Sequence, residues 1–414
     1  MSSLTKDPTR PSPLGIFANR SFRRYYMGQT FSYAGDGLRL IAVPLLVYRL
    51  TGSALSVGLT YALEFGPFAI FGLVGGSLAD RLDRRRLMIG ADFVRFAVLA
   101  AFALGYAYKF LTLGMLYGGI VIVSLAAAVF MGGQASSVPY LIGKERATQA
   151  MSALLAAEQV TQMILPPVGG AFFALVGPLP ALAINAATYL LSQATFATVP
   201  TLGPAKPSGL PSLRTIASDI TIGFHILWND AALRTFAGLS LTFNFFGLMV
   251  GASLIPFLKR DFGASDLVVG YVFGLMAVGS LVGSWLAGRV PRSWPFGRIM
   301  IAAYAADGIA FVPVMFTHKL VIAVVFLAIT DVCVLFEVAQ IVGWRMRIVP
   351  EELVGRVFGV ARLIALLATV PGALLGGVLA DHYGARMPII AAGWGYLAMA
   401  LAVSALPAVR RERR

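Results

Sequence analysis

Six acidic residues of this 414-residue chain lie well away from the ends of long apolar stretches, where an ionised group has little water around it. A charged side chain at the centre of a membrane costs about 2.5–3.5 kcal/mol on insertion scales, so its presence there indicates a function. The chemistry open to such groups is the binding of protons, or of a charged substrate. The candidates, with the two arginines that can pair with them, are Asp36, Arg39, Glu64, Glu158, Asp307, Asp331, Glu337 and Arg362.

The local surroundings of these acidic residues differ. Arg39 follows Asp36 by three positions, one helical turn away, so the two side chains can pair. Such a pair either only orders the helix or binds a proton in competition with the arginine or a cationic substrate. Glu64 has no cationic residue within a helical turn of its own stretch, so we expect an unpaired group, either permanently protonated or a proton carrier. Asp92 and Arg95 are expected to belong to a gate region around Asp80.

Several other kinds of chemistry find no support in the sequence. The three histidines show no metal-ligand spacing, and the single cysteine, Cys333, provides no cysteine-based metal site or disulfide framework. Neither a zinc-protease, a serine-hydrolase nor a P-loop motif occurs. The net charge of +14 sits in short clusters between apolar stretches, which indicates membrane topology and not nucleic-acid binding. We therefore expect no enzyme, no metal, no cofactor and no use of ATP.

The stretches that position these residues have the length of membrane spans. Hydrophobic residues make up 58% of the chain and charged residues only 13%, against roughly a quarter in soluble domains. A span needs about 20 apolar residues, and it must be helical because lipid offers no partner to free backbone groups. The predicted spans are 25–48, 55–78, 87–108, 112–135, 152–176, 180–199, 235–256, 267–288, 297–316, 320–344, 357–379 and 387–407.

The basic residues predict the orientation. With the N-terminus in the cytoplasm, 24 lysines and arginines fall on the cytoplasmic side and only six on the other side. Basic loops stay in the cytoplasm, so both termini are predicted there. The first 24 residues contain no apolar core followed by a small-residue cleavage site, so no cleaved signal peptide is expected.

A polar stretch at 200–234 divides the spans six and six. Its first part contains four prolines, which prevent regular helix, and its second part has apolar residues at spacings of three and four. This pattern predicts an amphipathic helix on the membrane surface, while a simple tether is the alternative. The predicted organisation is a cytoplasmic segment at 1–24, helix bundles at 25–199 and 235–407, the linker at 200–234 and a basic tail at 408–414.

The two halves resemble distant copies of each other. Gly169-Gly170 in the fifth span recurs as Gly376-Gly377 in the eleventh, 207 positions later. Gly75 in the second span corresponds in the same way to Gly283 in the eighth, at an offset of 208. Two six-helix repeats with a site between them are an architecture typical of transporters.

Residues 76–86, between the second and third spans, read Gly-Ser-Leu-Ala-Asp-Arg-Leu-Asp-Arg-Arg-Arg. This resembles the cytoplasmic loop signature of the major facilitator superfamily, Gly-x-Leu-Ala-Asp-Arg-x-Gly-Arg-Arg, and departs from it at Asp83. The carboxylate of Asp80 can accept backbone hydrogen bonds at a neighbouring helix N-terminus. The gating motif implied by the resemblance consists of Gly76, Asp80, Arg81, Arg84 and Arg85.

A second copy of the signature at 377–386 follows the eleventh span. The predicted topology places it outside. We interpret it as glycine packing inherited from the repeat plus a short external loop, and not as a second gate.

Residues 35–54 resemble the first span of the branch that holds enterobactin exporters and macrolide efflux pumps. Proton-coupled relatives carry Gly-Pro-x-x-Gly-Gly in the fifth span; here the helix-packing motif is formed by Pro166, Pro167, Gly169 and Gly170. They also often carry an arginine in the fourth span, yet 112–135 contains no charge. This departure weakens the expectation of proton coupling.

The resemblance implies an all-α integral membrane fold of twelve helices in two six-helix bundles. It implies a secondary active transporter in the bacterial inner membrane, most simply a monomeric, proton-driven exporter of small amphipathic or hydrophobic compounds of the drug, macrolide or siderophore class. Its expected partners are that substrate, protons and the lipid bilayer. A nutrient facilitator or symporter, or a lipid or lysolipid transporter of the same fold, remains the alternative.

Overall fold

The computed structural model describes residues 15–79, 82–203, 221–222, 224–291, 293–348 and 354–405. Among these residues, a short 3₁₀ helix at Gly15–Ala18 is followed by twelve long α-helices, and no strand occurs. The helices are α1 (Arg20–Thr51), α2 (Ala54–Ala79), α3 (Arg84–Ala107), α4 (Leu113–Ile142), α5 (Lys144–Val176), α6 (Pro178–Ala197), α7 (Ala231–Phe262), α8 (Asp266–Ala287), α9 (Phe296–Phe316), α10 (Leu320–Ile348), α11 (Val354–Tyr383) and α12 (Met387–Ala405).

Each of these helices overlaps one predicted span, so the all-helical twelve-helix fold is confirmed. In the described part of the chain, ten helices are long and apolar enough to cross a membrane by length and composition. The other two, α1 and α6, contain more polar residues, among them Asp36 and Arg39 on α1 and Asn185 on α6. These side chains are buried or half-buried against other helices, so a low hydropathy here reflects an interior polar network.

Several helices extend beyond the predicted apolar stretches. Helix α1 begins at Arg20 because Asn19 caps it, its side chain accepting hydrogen bonds from the backbone of Ser21 and Phe22. Helix α7 continues to Phe262 and ends where Gly263 adopts the left-handed conformation. Helix ends are thus set by caps, whereas apolar composition marks only the part of the helix in the hydrocarbon.

Helices α1–α6 pack mainly among themselves, as do α7–α12, and the two sets meet chiefly through α2 against α11 and α5 against α8. The repeated glycines make equivalent contacts. A Cβ at Gly169 would meet Leu38 of α1, and one at Gly376 would meet Met249 of α7. The next glycine of each pair faces the other half of the molecule. This correspondence supports the repeat inferred from the sequence.

The two ends of the helix bundle differ in charge. We call the end with the α2–α3 and α4–α5 connections the arginine-rich end, and the end with the α1–α2, α7–α8 and α11–α12 connections the opposite end. Contacts between the halves are seen toward the opposite end. A Cβ added at Gly170 on α5 would lie 2.9 Å from the Cα of Gly270 on α8, and Arg49 of α1 lies 3.6 Å from Asp266 of α8. The opposite end is therefore closed.

Candidate functional site

Arg39 on α1 is the centre of a buried ion network in the first half. Its guanidinium donates from Nη2 to Oδ1 of Asp36 at 3.2 Å and from Nη1 to Oε2 of Glu64 on α2. The predicted Asp36–Arg39 pair is confirmed. The expectation that Glu64 lacks a cationic partner is wrong, because its partner comes from a neighbouring helix and not from its own.

Asp36 has further partners on other helices. Oδ1 of Asp36 accepts a hydrogen bond from the hydroxyl of Tyr189 on α6 at 2.9 Å, and Arg95 on α3 lies 3.9 Å from Oδ2. The hydroxyl of Ser124 on α4 donates to the backbone oxygen of Glu64 at 2.6 Å. Side chains of α3 and α6 thus contact the carboxylate of Asp36 besides Arg39, and α4 is hydrogen-bonded to the backbone of Glu64.

Asp92 and Arg95 lie in this network, while Asp80, around which a gate region is expected, lies outside the described residues. Arg95 donates from Nη1 to Asp92 at 3.2 Å and to the hydroxyl of Ser32 on α1 at 3.0 Å. The hydroxyl of Ser192 on α6 donates to Asp92 at 2.5 Å. Both charged side chains are at most 2% exposed. They face α1 and α6, an orientation that their depth along α3 does not reveal.

A cavity of about 410 Å³ lies next to this network. Its lining residues on α4 and α5 lie in the parts of those helices nearer the arginine-rich end. The cavity therefore extends from the middle of the helices toward that end. Its wall is lined by Tyr33, Asp36, Arg39, Leu40, Glu64, Phe65, Phe68, Arg95, Ala127, Phe130, Met131, Gln134, Met151, Leu155, Glu158, Gln162 and Leu366. Leu366 belongs to α11, so the second half contributes to the wall. The cavity combines an apolar surface with two arginines and three carboxyl groups.

Glu158 on α5 is half-buried in this wall. Its Oε1 accepts a hydrogen bond from Nε2 of Gln162 at 3.4 Å. The structure therefore brings four predicted residues together, namely Asp36, Arg39, Glu64 and Glu158.

The other predicted carboxyl groups lie in the second half, away from this cavity. Asp307 on α9 and Glu337 on α10 are fully buried, and within the described residues their carboxyl oxygens have no hydrogen-bond partner. Asp331 on α10 accepts a hydrogen bond from Ser280 of α8 at 3.4 Å. Ionised carboxylates in an apolar interior are strongly disfavoured, so such groups can take up protons.

The gating motif is described only in part. Asp80 and Arg81 lie outside the described residues, as do the side chain of Arg362 and residues 204–220 of the linker, and Gly76 is described only as part of α2. Arg84 is buried and donates to the backbone oxygen of Leu202 at 3.3 Å. Arg85 donates to the backbone oxygens of Pro200, at 3.4 Å, and Ala197. These two arginines therefore attach the start of α3 to the chain after α6.

The fifth-span motif packs against two helices. Helix α5 runs through Pro166 and Pro167 without a break. A Cβ added at Gly37 of α1 would lie 3.7 Å from Cδ of Pro166, and one at Gly169 would lie 3.0 Å from a methyl of Leu38. The prolines and glycines thus permit α5 to approach α1 closely, as expected for a packing motif.

Sequence reasoning missed the uncharged partners of the network, Ser32, Tyr189 and Ser192. The sequence offers only one indication of these partners, the spacing of two of them on α6. Tyr189 and Ser192 lie three positions apart on α6, so they share one helix face. Nothing in the local sequence states which charged group that face meets.

Comparison with known proteins shows the family. The family model described as Major Facilitator Superfamily matches residues 25–367. The "Multidrug efflux pump Tap" of Mycobacterium tuberculosis is 28% identical over 393 residues, which cover 91% of each chain. The "Enterobactin exporter EntS" of Escherichia coli is 24% identical over 413 residues, covering 95% of this chain and 94% of EntS.

Among solved structures, that of the nucleoside transporter NupG (D323A mutant) has a TM-score of 0.74 at 14% identity and covers 93% of this chain and 99% of that one. The likeness extends over the whole fold. The resemblance seen in residues 76–86 is therefore confirmed: this multi-pass membrane protein belongs to the Major Facilitator Superfamily, whose members are transporters and not enzymes.

Proposed function

We propose that the protein is a proton-coupled exporter of small amphipathic or hydrophobic compounds that works by alternating access. The observation that carries this proposal is the mainly apolar cavity around the Asp36–Arg39–Glu64 network, with α11 of the second half as part of its wall. The direction of transport is supported by the relatives, a multidrug efflux pump and an enterobactin exporter.

The cavity suits an amphipathic compound. Its volume of about 410 Å³ lies within the range of about 300–1,000 Å³ that is usual for small-molecule sites. Phe65, Phe68 and Phe130 offer apolar contact, while the three carboxyl groups outnumber the two arginines. A cationic group on the substrate would compete with Arg39 for Asp36 and Glu64. Drugs and siderophores are the classes that the relatives suggest.

Two places are suitable for the coupling proton. A proton on Asp36 or Glu64 would remove one partner of Arg39 and change the charge of the cavity. Alternatively, the proton binds in the second half, at Asp307, Asp331 or Glu337. The carboxyl groups of Asp307 and Glu337 have no hydrogen-bond partner among the described residues, so protonation there breaks no hydrogen bond. Either site uses the proton gradient as the energy source, in place of ATP, and requires no cofactor.

The orientation follows from the basic loops. The arginine-rich end would face the cytoplasm of a bacterial inner membrane, with both termini on that side and the bundles of residues 25–199 and 235–407 joined by the linker at 200–234. The closed opposite end would then be external, and the cavity would extend toward the cytoplasm. An exporter loads its substrate from that side.

Transport in inside-out vesicles tests the proposal. Vesicles with an acidified interior should accumulate a fluorescent amphipathic cation when they contain the protein, and an uncoupler should abolish the accumulation. Vesicles from cells without the protein provide the control. Accumulation that persists after the proton gradient collapses would contradict coupling, and uptake by intact cells in place of efflux would favour the importer alternative.

A further inference from the structure

A hydrogen-bonded cluster joins the two halves at the opposite end. Asp381, near the end of α11, accepts hydrogen bonds at Oδ1 from the backbone N–H of Ala54, at 2.9 Å, and at Oδ2 from that of Leu55, also at 2.9 Å. Oδ2 also accepts one from the hydroxyl of Ser53 at 2.6 Å. These amides open α2 and have no partner within the helix, so a carboxylate there is favoured by hydrogen bonding and by the helix dipole.

Arg260, near the end of α7, completes the cluster. Its Nη2 donates to Oδ1 of Asp381 at 2.7 Å and to the backbone oxygen of Gly52 at 2.5 Å, and its Nε donates to the hydroxyl of Tyr48 at 3.2 Å. Tyr48 and Gly52 belong to the first half, whereas Arg260 and Asp381 belong to the second. Arg260 therefore binds both halves through charge-assisted hydrogen bonds, which are the strong ones.

The second copy of the family signature supplies this contact. Gly377 lies one turn before Asp381, and a Cβ added there would lie 2.6 Å from the Cα of Leu55 on α2. Only glycine at this position lets α11 approach α2 closely enough for the carboxylate to reach the start of that helix. Glycine packing plus a short external loop, and not a second gate, was the interpretation of residues 377–386, and it leaves out the bridge made by Asp381.

We propose that Asp381 and Arg260 form an external latch. It holds the external end closed while the cavity faces the cytoplasm, and its hydrogen bonds break each time the halves rock to open that end. Both are positioning residues for the transport cycle, and the inference rests on the proposed alternating-access function and orientation. In the sequence, Asp80 follows Gly76 by four positions as Asp381 follows Gly377, so the two copies of the signature would serve opposite ends of the molecule.

The chain offers a matched control at the same end. Arg386 donates from Nε to Asp261 at 3.0 Å and from Nη1 to the backbone oxygen of Thr317 at 2.8 Å. All three residues belong to the second half. The variant Asp261→Asn therefore removes an ion pair of similar geometry and location that does not connect the halves.

The test measures access to the cavity from outside. In a chain with Cys333→Ser, the cavity residue Phe65→Cys is labelled in intact cells with a membrane-impermeant maleimide. Loss of the charge-assisted bonds in Asp381→Asn should raise the labelling rate about tenfold by favouring the outward-open state, while Asp261→Asn should leave it unchanged. Equal labelling in the two variants would overturn the latch.

Arg260→Gln provides a second variant, in which Asp381 can still accept the backbone hydrogen bonds at the start of α2. It should also raise labelling, and Arg260→Lys should restore part of the wild-type protection by keeping a charge near Asp381. If Arg260→Gln is labelled no faster than Asp261→Asn, the proposal is overturned. This comparison decides the question even if Asp381→Asn fails to reach the membrane. Labelling needs no transported substrate, so absence of export would refute the proposed function separately from the latch.

Discussion

Arg39 binds two carboxylates that come from different helices, and its side chain is only 5% exposed. Burying three ionisable groups is costly unless each one is paired. The network therefore depends on Arg39 more than on either acid, because loss of one acid leaves Arg39 its other partner, whereas loss of Arg39 removes the cation that both acids share.

Replacing Arg39 by glutamine should destabilise the protein strongly. Breaking a buried pair by removing one partner costs about 3–5 kcal/mol, since the remaining charges stay buried without compensation. Adding Asp36→Asn and Glu64→Gln to the same chain should restore part of the loss. The measurement is thermal unfolding of purified protein in detergent.

Arg49→Gln is the control for that series. Arg49 is 49% exposed and lies 3.6 Å from Asp266, and an exposed pair contributes about 0–1 kcal/mol. Equal losses of stability in Arg39→Gln and Arg49→Gln would show that the network does not behave as a buried one.

Glu337→Gln should separate coupling from transport. The carboxyl group of Glu337 has no hydrogen-bond partner among the described residues, so its neutral replacement breaks no bond and should fold normally. If Glu337 binds the coupling proton, transport driven by a pH gradient should fall about tenfold or more, while exchange of labelled for unlabelled substrate continues. Vesicle assays measure both rates, and gradient-driven transport at the wild-type rate would assign the proton to another carboxyl group.

At the scale of helices, glycines decide how closely α5 approaches α8. In an open helix position, exchange of glycine for alanine stabilises by about 0.8–1.0 kcal/mol. At Gly170 the sign should reverse, because the new Cβ would lie 2.9 Å from the Cα of Gly270 and must push the helices apart. The packing energy lost between α5 and α8 then exceeds the stabilisation from the higher helix propensity of alanine.

Gly170→Ala should therefore lower both the melting temperature and the transport rate. Gly118→Ala on α4 is its control, since the Cβ added there meets nothing within 4 Å. We expect this control to unfold at the wild-type temperature or above. Thermal unfolding and vesicle transport give the two readouts, and a Gly170→Ala protein as stable and active as Gly118→Ala would contradict the close contact.

At the scale of the whole molecule, the two halves must close one end while opening the other. The latch at Asp381 is proposed to close the external end, and the motif around Asp80 is predicted to close the cytoplasmic end. Each contact lowers the free energy of one state only. Its loss should then change the populations of the states and leave the substrate site intact.

Asp80→Asn is expected to reduce turnover more than substrate affinity for this reason. Transport kinetics in vesicles should show a lower maximal rate with a nearly unchanged KM. In combination with Asp381→Asn, the external labelling of Phe65→Cys should return toward the wild-type rate, because the two changes favour opposite states. Equal losses of affinity and rate would argue that Asp80 shapes the binding site.

The sequence alone determined which segments cross the membrane and which family they form. Apolar stretches of about 20 residues can only be helices in lipid, and residues 76–86 carry a family signature. The Asp36–Arg39 pair was also predictable, because residues three apart on one helix face each other. These features are local, and local sequence specifies them.

Only the tertiary structure decided which charges meet across helices. Arg39 reaches Glu64, Asp92 and Arg95 join α1 and α6, and Asp381 caps α2. Each contact depends on how two helices are rotated and shifted against each other. Hydropathy fixes the depth of a residue in the membrane but leaves that rotation open, so partners far apart in the chain emerge only when the helices are packed.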